Sequence, residues 1–237
     1  MVVQQLRQFN MRYYHFSEIG LRETNEDVIY CNSDKEQSLF MIADGMGGYD
    51  FGEIAARLAT ETISQCFAEN LNNVNEELIV HAFQKAHKLI KVNLNDAGTT
   101  LGGIYISLGV AYIFWTGDVK IVLKNDMEFY ETKDHTLYNL LKDESIFIKS
   151  EEIPRLKNTV VRSLGGKSNS YIPEILKLKI GSGFSAIICS DGVHRHFNSD
   201  NLFQLLQNED WNLVLDALKD SGEKGSDNYS SILISSK

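Results

Sequence analysis

The chain has 237 residues, 43% of them hydrophobic and 23% charged, with a formal net charge of −9, which is typical of a globular protein with a sizeable core. The acidic balance argues against nucleic acid as a partner, because phosphate backbones are bound by clusters of Lys and Arg. The sequence lacks a transmembrane-length apolar run or an N-terminal signal pattern, so we expect a cytoplasmic protein without a membrane partner.

The organisation of the chain predicts one domain. The three cysteines, Cys31, Cys66 and Cys189, are an odd number in or beside apolar stretches, which indicates buried reduced thiols rather than a disulfide framework. We find no internal repeat, low-complexity tract or linker, so residues 1–237 are expected to form a single domain.

The first half of the chain predicts a buried strand and two helices. Residues 39–43 are a continuous apolar run, typical of a strand covered on both faces. Between residues 51 and 68, five apolar side chains share one helical face: Ile54, Leu58, Ala59, Ile63 and Phe67. A similar stripe over residues 79–90 predicts a second helix.

The second half is dominated by strand signals joined by short turns. Strands are predicted at residues 104–108, 110–116, 121–123, 128–130, 176–180, 184–189 and 232–234, and further helices at 199–206 and 211–218. Short turns favour antiparallel pairing, so the fold class is α+β with helices on the sheet faces. The polar stretch at about residues 138–158 predicts an irregular excursion from the sheets.

Acidic residues stand at the ends of several of these strands. Asp44, Asp118 and Asp191 each follow an apolar run, and Asp227 precedes the last strand, so an antiparallel sheet can bring it beside Asp191. Carboxylates are the ligands that Mg²⁺ and Mn²⁺ prefer, and two such ions can share one carboxylate and activate a common water. Asp44 is the best bridging candidate. Each site alone is ordinary turn chemistry, but together they predict a metal centre.

Arg22 lies four residues before Glu26, and a guanidinium can grip a phosphate with two parallel hydrogen bonds. Beyond these residues, short motifs occur in a fixed order: Gly-Leu-Arg-Glu-Thr-Asn-Glu-Asp at 20–27, Ala-Asp-Gly-Met-Gly-Gly at 43–48 followed by Gly-Glu at 52–53, Thr-Thr-Leu at 99–101, Gly-Asp at 117–118, Asp-His-Thr at 134–136, Arg-Ser-Leu-Gly at 162–165, Ser-Asp-Gly at 190–192 and Asp-Asn at 227–228. The ordered set resembles the bacterial form of the metal-dependent protein serine/threonine phosphatases, the protein phosphatase 2C family.

The resemblance implies a four-layer αββα sandwich, two antiparallel sheets flanked by helix pairs. It also implies hydrolysis of phosphoserine and phosphothreonine on proteins by water activated at two Mn²⁺ or Mg²⁺ ions, without a phosphoenzyme. The implied partners are phosphorylated proteins, the products of a Ser/Thr kinase. In the roles that the resemblance implies, Asp44 bridges both metal ions, and Asp191 and Asp227 complete the ligands of one ion. The Gly45 carbonyl and Glu26 (through water) bind the other ion, and Asp27 supports the metal ligands. Asp118 with Asp191 forms a third metal site, and Arg22 holds the substrate phosphate. Residues 138–158 correspond to a short, substrate-facing flap.

Three departures from the family pattern bear on these expectations. Val119-Lys120 replaces the usual Ser-Arg pair beside the third site, the flap is short, and Met46 stands where eukaryotic members carry a histidine. Among the histidines, His135 is expected to be structural, and His194 is expected to be an exposed loop residue, as is His196. Two alternatives stay open: a non-catalytic phosphatase-like binding module, and a metallohydrolase of small phosphoesters.

Overall fold

The computed structural model describes residues 11–34, 37–47, 51–71, 73–167, 170–181, 183–197 and 199–236. The strands in these ranges are β1 Met11–Glu18, β2 Asp27–Ser33, β3 Gln37–Met46, β4 Gly98–Ser107, β5 Val110–Thr116, β6 Lys120–Asn125, β7 Glu128–Glu131, β8 Leu164–Gly165, β9 Glu174–Lys179, β10 Ser185–Cys189 and β11 Tyr229–Ser236. The helices are α1 Phe51–Ala68, α2 Glu76–Asn93, α3 Leu137–Asp143, α4 Ile153–Lys157, α5 Asp191–His194, α6 Ser199–Leu206 and α7 Trp211–Gly222.

Two antiparallel sheets form the centre of the molecule. One has the strand order β1-β11-β10-β6-β7, and the other has β2-β3-β4-β5-β9, with β8 added beside β4. The predicted hairpin of β4 and β5 turns through Leu108 and Gly109, both with positive φ, which is the conformation that matches the twist of paired strands. The chain changes sheet between β5 and β6, directly at Gly117 and Asp118.

Apolar side chains bury both faces of each sheet. Along β3, Phe40 and Ile42 point into the layer between the sheets, whereas Met41 and Ala43 pack under α1 and α2. A third cluster lies under α6 and α7 on the outer face of the other sheet. Each fully buried Phe or Ile stabilises the fold by about 1.5–3 kcal/mol relative to exposure. The layers are therefore helix, sheet, sheet, helix, and the predicted αββα sandwich is confirmed.

Several local predictions are corrected by the structure. Strands β1 and β2 were not predicted, because their outward positions do not alternate cleanly in polarity. Ile54 does not join the buried face of α1, since it is 42% exposed while Ala55 and Ala56 are buried instead. The stretch 138–158 is not irregular: it carries α3, a 3₁₀ turn at Ser150–Glu152 and α4.

The segment that contains α3 and α4 leaves and rejoins the core at one closed base. Thr136 and Val160 form an isolated antiparallel bridge. Beside it, the backbone N–H of Leu137 donates to the Thr159 carbonyl at 2.8 Å, and the N–H of Val161 donates to the His135 carbonyl at 2.9 Å. The two ends of the segment are thus fastened to each other before the chain continues to β8.

The cysteines are free thiols, as predicted; Cys66 and Cys189 are buried, whereas Cys31 is only half-buried. No helix in the described ranges combines the length and apolar character needed to cross a bilayer.

Candidate active site

A cavity of about 320 Å³ opens at the end of both sheets where the acidic motifs meet. Its lining contains every predicted site residue except Asp27: Arg22, Glu26, Asp44, Gly45, Asp118, Asp191 and Asp227. Residues from distant parts of the sequence are therefore brought into one pocket. Met46, Gly47, Thr100, Asn158, Val160, Arg195 and Asn228 complete the wall.

Asp44 lies near the end of β3, where both neighbouring strands hold it. It is in register with Asp27 of β2 and Thr100 of β4, and its own carbonyl accepts a hydrogen bond from Thr99 Oγ1 at 2.9 Å. The next residue packs tightly: a Cβ on Gly45 would lie 2.3 Å from the carbonyl group of Gly52. Only glycine lets the start of α1 approach this strand so closely.

Asp191 and Asp227 meet as predicted from antiparallel pairing. Cys189 of β10 faces Ser231 of β11, so the residues that follow one strand lie beside those that precede the other. The pairing extends past the strands, since the Ser190 N–H donates to the Ser230 carbonyl at 3.1 Å. Asp191 is buried, and Asp227 keeps 26% of its side chain exposed.

Asp118 enters the cavity from the turn that connects the two sheets. Gly117 has a φ of +94°, and a Cβ there would lie 2.3 Å from Thr100 Cγ2, so the turn requires glycine. His135 supports this turn: its Nδ1 accepts from the Gly117 N–H at 3.0 Å, and its backbone N–H donates to the Gly117 carbonyl at 2.8 Å. The structural role predicted for His135 is confirmed.

Arg22 reaches the cavity from the loop before β2. Its Nη2 lies 2.9 Å from Oδ1 and 3.0 Å from Oδ2 of Asp227. Asn228 holds this loop in place, since its amide donates to the carbonyls of Ile19 and Thr24 at 2.8 and 2.9 Å. Its side-chain oxygen also accepts from the Glu26 N–H at 2.9 Å. Asn228, the residue directly before β11, thus positions both the loop of Arg22 and the backbone of Glu26.

Asp27 lies behind the cavity wall rather than in it. Its Oδ2 accepts from Ser190 Oγ at 2.7 Å, which ties it to the residue before Asp191, while its buried Oδ1 has no partner. Burial raises the pKa of Asp27 to about 7, against the opposing hydrogen bonds from Ser190 and Ser230. An unpaired buried carboxylate oxygen is costly, so this group favours a nearby positive charge.

The four aspartates of the cavity fall into two groups with different partners. Asp44 and Asp118 form the unpaired half, since no Lys, Arg or His nitrogen in the described ranges lies within ion-pair distance of them. Burial raises the pKa of Asp44 well above its usual value, and the carboxylate of Asp191 adds to the rise. Burial likewise raises the pKa of Asp118 to about 8.

Asp191 and Asp227 form the arginine-paired half with Arg22 and Arg195. Burial raises the pKa of Asp191 to about 6, although the guanidinium of Arg195 opposes the rise. Arg195 pairs closely with Asp191 and lies 3.5 Å from Asp227. Arginine therefore neutralises charge in this half, whereas raised pKa values favour protonation in the other half.

The oxygen-rich lining fits a hard divalent cation. Five carboxylates and the Gly45 backbone surround the cavity, and such donors suit Mg²⁺ or Mn²⁺ better than a thiolate-seeking metal. In the described part of the chain, no three His, Cys, Asp or Glu side chains have the spacing of a preformed metal site. Arg195 bridges Asp191 and Asp227 instead, so cation binding requires these side chains to rearrange.

Lys120, which belongs to the Val-Lys pair that replaces the usual Ser-Arg pair, has ion-pair partners of its own. Its ammonium lies 2.6 Å from Asp134, 3.0 Å from Glu131 and 2.9 Å from the Thr132 carbonyl. Burial alone would lower the pKa of Lys120, but Asp134 and Glu131 raise it overall. The lysine therefore fastens β6 to the segment after β7 rather than lining the cavity.

His194 is not the exposed loop residue that was expected. It ends α5 and is partly buried, with Nε2 2.8 Å from the Asp118 carbonyl. Burial lowers the pKa of His194 to about 4. His196 is exposed, as predicted.

The sequence did not predict three residues of the cavity wall, namely Arg195, Asn158 and Val160. Neither a one-turn helix nor an isolated bridge has a periodic sequence signal.

Comparison with known proteins agrees with this site. The profile of the family described as Protein phosphatase 2C matches residues 17–220. The chain is 30% identical over 190 residues to protein phosphatase PhpP of Streptococcus pneumoniae, covering 75% of this chain and 76% of that one. The chain therefore belongs to the protein phosphatase 2C family, and it is a metal-dependent protein serine/threonine phosphatase.

Solved structures show the same fold. The serine/threonine phosphatase PstP/Ppp of Mycobacterium tuberculosis superposes with a TM-score of 0.80 at 24% identity, covering 96% of this chain and 99% of that chain. The catalytic domain of the phosphatase PstP, solved in complex with two manganese ions, superposes with a TM-score of 0.74 at 24% identity, covering 95% and 97%.

Proposed function

We propose that this chain removes phosphate from phosphoserine and phosphothreonine in proteins phosphorylated by a Ser/Thr kinase, using a pair of Mn²⁺ or Mg²⁺ ions. The observation that carries the proposal is the convergence of five carboxylates and two guanidiniums in a cavity of about 320 Å³. The free, largely buried thiols support the cytoplasm as its compartment.

The proposed ligand roles follow the family pattern and the placement of each residue. Asp44 would bridge two ions, Asp191 and Asp227 would hold one of them, and the Gly45 carbonyl and Glu26 (through water) would hold the other. Asp27 would support this arrangement through Ser190, and Asp118 with Asp191 would offer a third, weaker position. When bound, the ion pair would supply an activated water and positive charge beside the phosphoryl group.

The remaining chemistry belongs to the side chains around the phosphate. Arg22, anchored by the Asn228 clamp on its loop, would bind the equatorial phosphate oxygens and orient the ester for in-line attack. Met46 lines the cavity and has no proton to donate, and His194 Nε2 is occupied by the Asp118 carbonyl. The proton of the leaving group is therefore expected to come from water rather than from either residue.

A covalent thiol mechanism is disfavoured. Cys189 is fully buried in β10, and burial raises the pKa of its thiol, so it is neither accessible nor ionised.

Residues 138–158 would form the flap that meets protein substrates, which is supported by the position of Asn158 in the cavity wall and by the 88% exposure of Phe147.

The test is turnover of a phosphothreonine peptide and of p-nitrophenyl phosphate, with Mn²⁺, with Mg²⁺ and with chelator. We expect metal-dependent hydrolysis of both, with higher kcat/KM for the peptide. Equal or better use of the small ester would favour a small-phosphoester hydrolase. Absence of turnover with either ion, in protein that still binds Mn²⁺, would favour a non-catalytic binding module.

A further inference from the structure

Arg195 is a cavity residue outside every motif that indicated the function. It follows α5 one helical turn after Asp191, pairs with that carboxylate, and lies with Nη1 3.5 Å from Asp227 Oδ2. Its side chain is 34% exposed and lines the cavity. The guanidinium is therefore accessible to a ligand that enters the site.

Arg195 also faces the phosphate-binding arginine. Arg22 Nη2 contacts the same Asp227 Oδ2 at 3.0 Å. The two guanidinium groups thus converge on one carboxylate oxygen from different parts of the chain. A phosphate dianion offers three terminal oxygens, and guanidinium forks bind such oxygens strongly. An anion beside Asp227 would lie within reach of both arginines.

Arg195 determines the net charge of the metal-loaded cavity. The five lining carboxylates and two guanidiniums amount to a formal charge of −3. Two divalent cations would make the ionised site +1, whereas without Arg195 it would be neutral. Arg195 therefore strengthens the attraction of the loaded cavity for a phosphate dianion.

We propose that Arg195 is a second phosphate-binding residue, which binds the substrate phosphoryl group together with Arg22. Cations bound at Asp191 and Asp227 would compete with Arg195 for these oxygens and leave its guanidinium free for phosphate. The inference rests on the proposed function, because it assigns a residue to the same substrate site.

The test compares Arg195→Met, which removes the charge, with Arg195→Lys, which keeps the charge but not the fork. Arg57→Met is the matched control, since Arg57 forms an exposed i,i+4 pair with Glu53 on α1 and does not line the cavity. For each variant we would measure KM and kcat on a phosphothreonine peptide, the inhibition constant of inorganic phosphate and the metal-free Tm. Calorimetry would give the Mn²⁺ affinity and the direct binding of inorganic phosphate to the Mn²⁺ form.

For Arg195→Met, we expect KM and the phosphate inhibition constant each to rise about tenfold, as for loss of one charge-assisted hydrogen bond. Arg195→Lys should be intermediate, and Arg57→Met should match the wild type. Mn²⁺ affinity should stay equal or become tighter, because a competitor of the cation is lost. The metal-free Tm shows whether the variant is folded.

Two results would overturn the inference. One is an unchanged phosphate inhibition constant in folded Arg195→Met protein. The other is a parallel loss of Mn²⁺ affinity, which would show that Arg195 only holds Asp191. If the wild type lacks turnover but its Mn²⁺ form binds phosphate in an Arg195-dependent way, the proposed function fails and the phosphate-binding role of Arg195 stands.

Discussion

The two halves of the cavity offset the negative charge of their carboxylates by different means. In the unpaired half, burial of Asp44 and Asp118 raises their pKa values, so these groups tend to hold protons when no cation is present. In the arginine-paired half, Arg22 and Arg195 neutralise Asp227 and Asp191. Under the proposed ligand roles, cation binding would displace protons on one side and arginines on the other. The first exchange would depend on pH, and the second would free guanidinium groups for phosphate.

The largest expected effect is in the unpaired half, at Asp44. The change Asp44→Asn keeps the shape of the side chain but removes the charge, and we expect turnover of a phosphopeptide with Mn²⁺ to fall by at least about 10³-fold. Metal-free Tm should not fall, because a buried carboxylate is lost. A near-normal rate with unchanged Mn²⁺ affinity would show that Asp44 does not bridge the ions.

In the arginine-paired half, Arg22→Ala is expected to act on the substrate. KM for a phosphopeptide should rise about 10–100-fold, because a charged, forked contact to phosphate is lost. Calorimetry with Mn²⁺ should give an affinity no weaker than that of the wild type, since Asp227 loses a competing cation. Weakened Mn²⁺ binding with an unchanged KM would reverse the roles assigned to the two halves.

Mn²⁺ binding should become tighter as pH rises from about 6, the pKa of Asp191, to about 8, the pKa of Asp118. Protons compete with the cation for raised-pKa carboxylates, so the Kd should fall about tenfold per pH unit for each proton released. Calorimetry in buffers of different ionisation enthalpy measures the number of protons released on Mn²⁺ binding. Asp118→Asn is the control and should flatten the dependence; an unchanged slope would remove Asp118 from the site.

The smallest effect concerns stability of the metal-free protein. The folded pKa of Asp118, about 8, exceeds its ordinary value of 3.8, so the folded state binds the proton more tightly. Stability from this group is present below pH 4 and is lost as pH rises towards 8. Asp118→Asn should therefore stabilise the metal-free protein by about 1–3 kcal/mol near pH 8 and little at pH 4. Urea unfolding at both pH values measures the difference, and equal differences would contradict the raised pKa.

Much of the fold could be predicted because its signals are local. The helix over residues 51–68 and the hairpin around Gly109 follow directly from periodicity and turn chemistry. The meeting of Asp191 and Asp227 follows from antiparallel pairing alone. By contrast, β1 is an edge strand that buries only Met11 and Phe16, so its sequence lacks the alternation that reveals a strand.

The part of the site that was missed depends on contacts between distant segments. Arg195 directly follows a one-turn helix, and it reaches Asp227, which is 32 positions away in sequence. The position of His194 is not predicted by its sequence neighbours, because its Nε2 contacts the Asp118 carbonyl, 76 positions away in sequence. Val160 enters the wall through a single bridge to Thr136. No local pattern encodes such contacts.

The bridge between Thr136 and Val160 has a consequence for how the enzyme can diversify. Because the intervening loop is closed at its neck, residues can be added to or removed from its outer end without shifting the strands that present the acids. If residues 138–158 meet the substrate as proposed, exchange of the outer end of this loop between relatives should alter target choice, provided that Asn158 and Val160 of the cavity wall are kept.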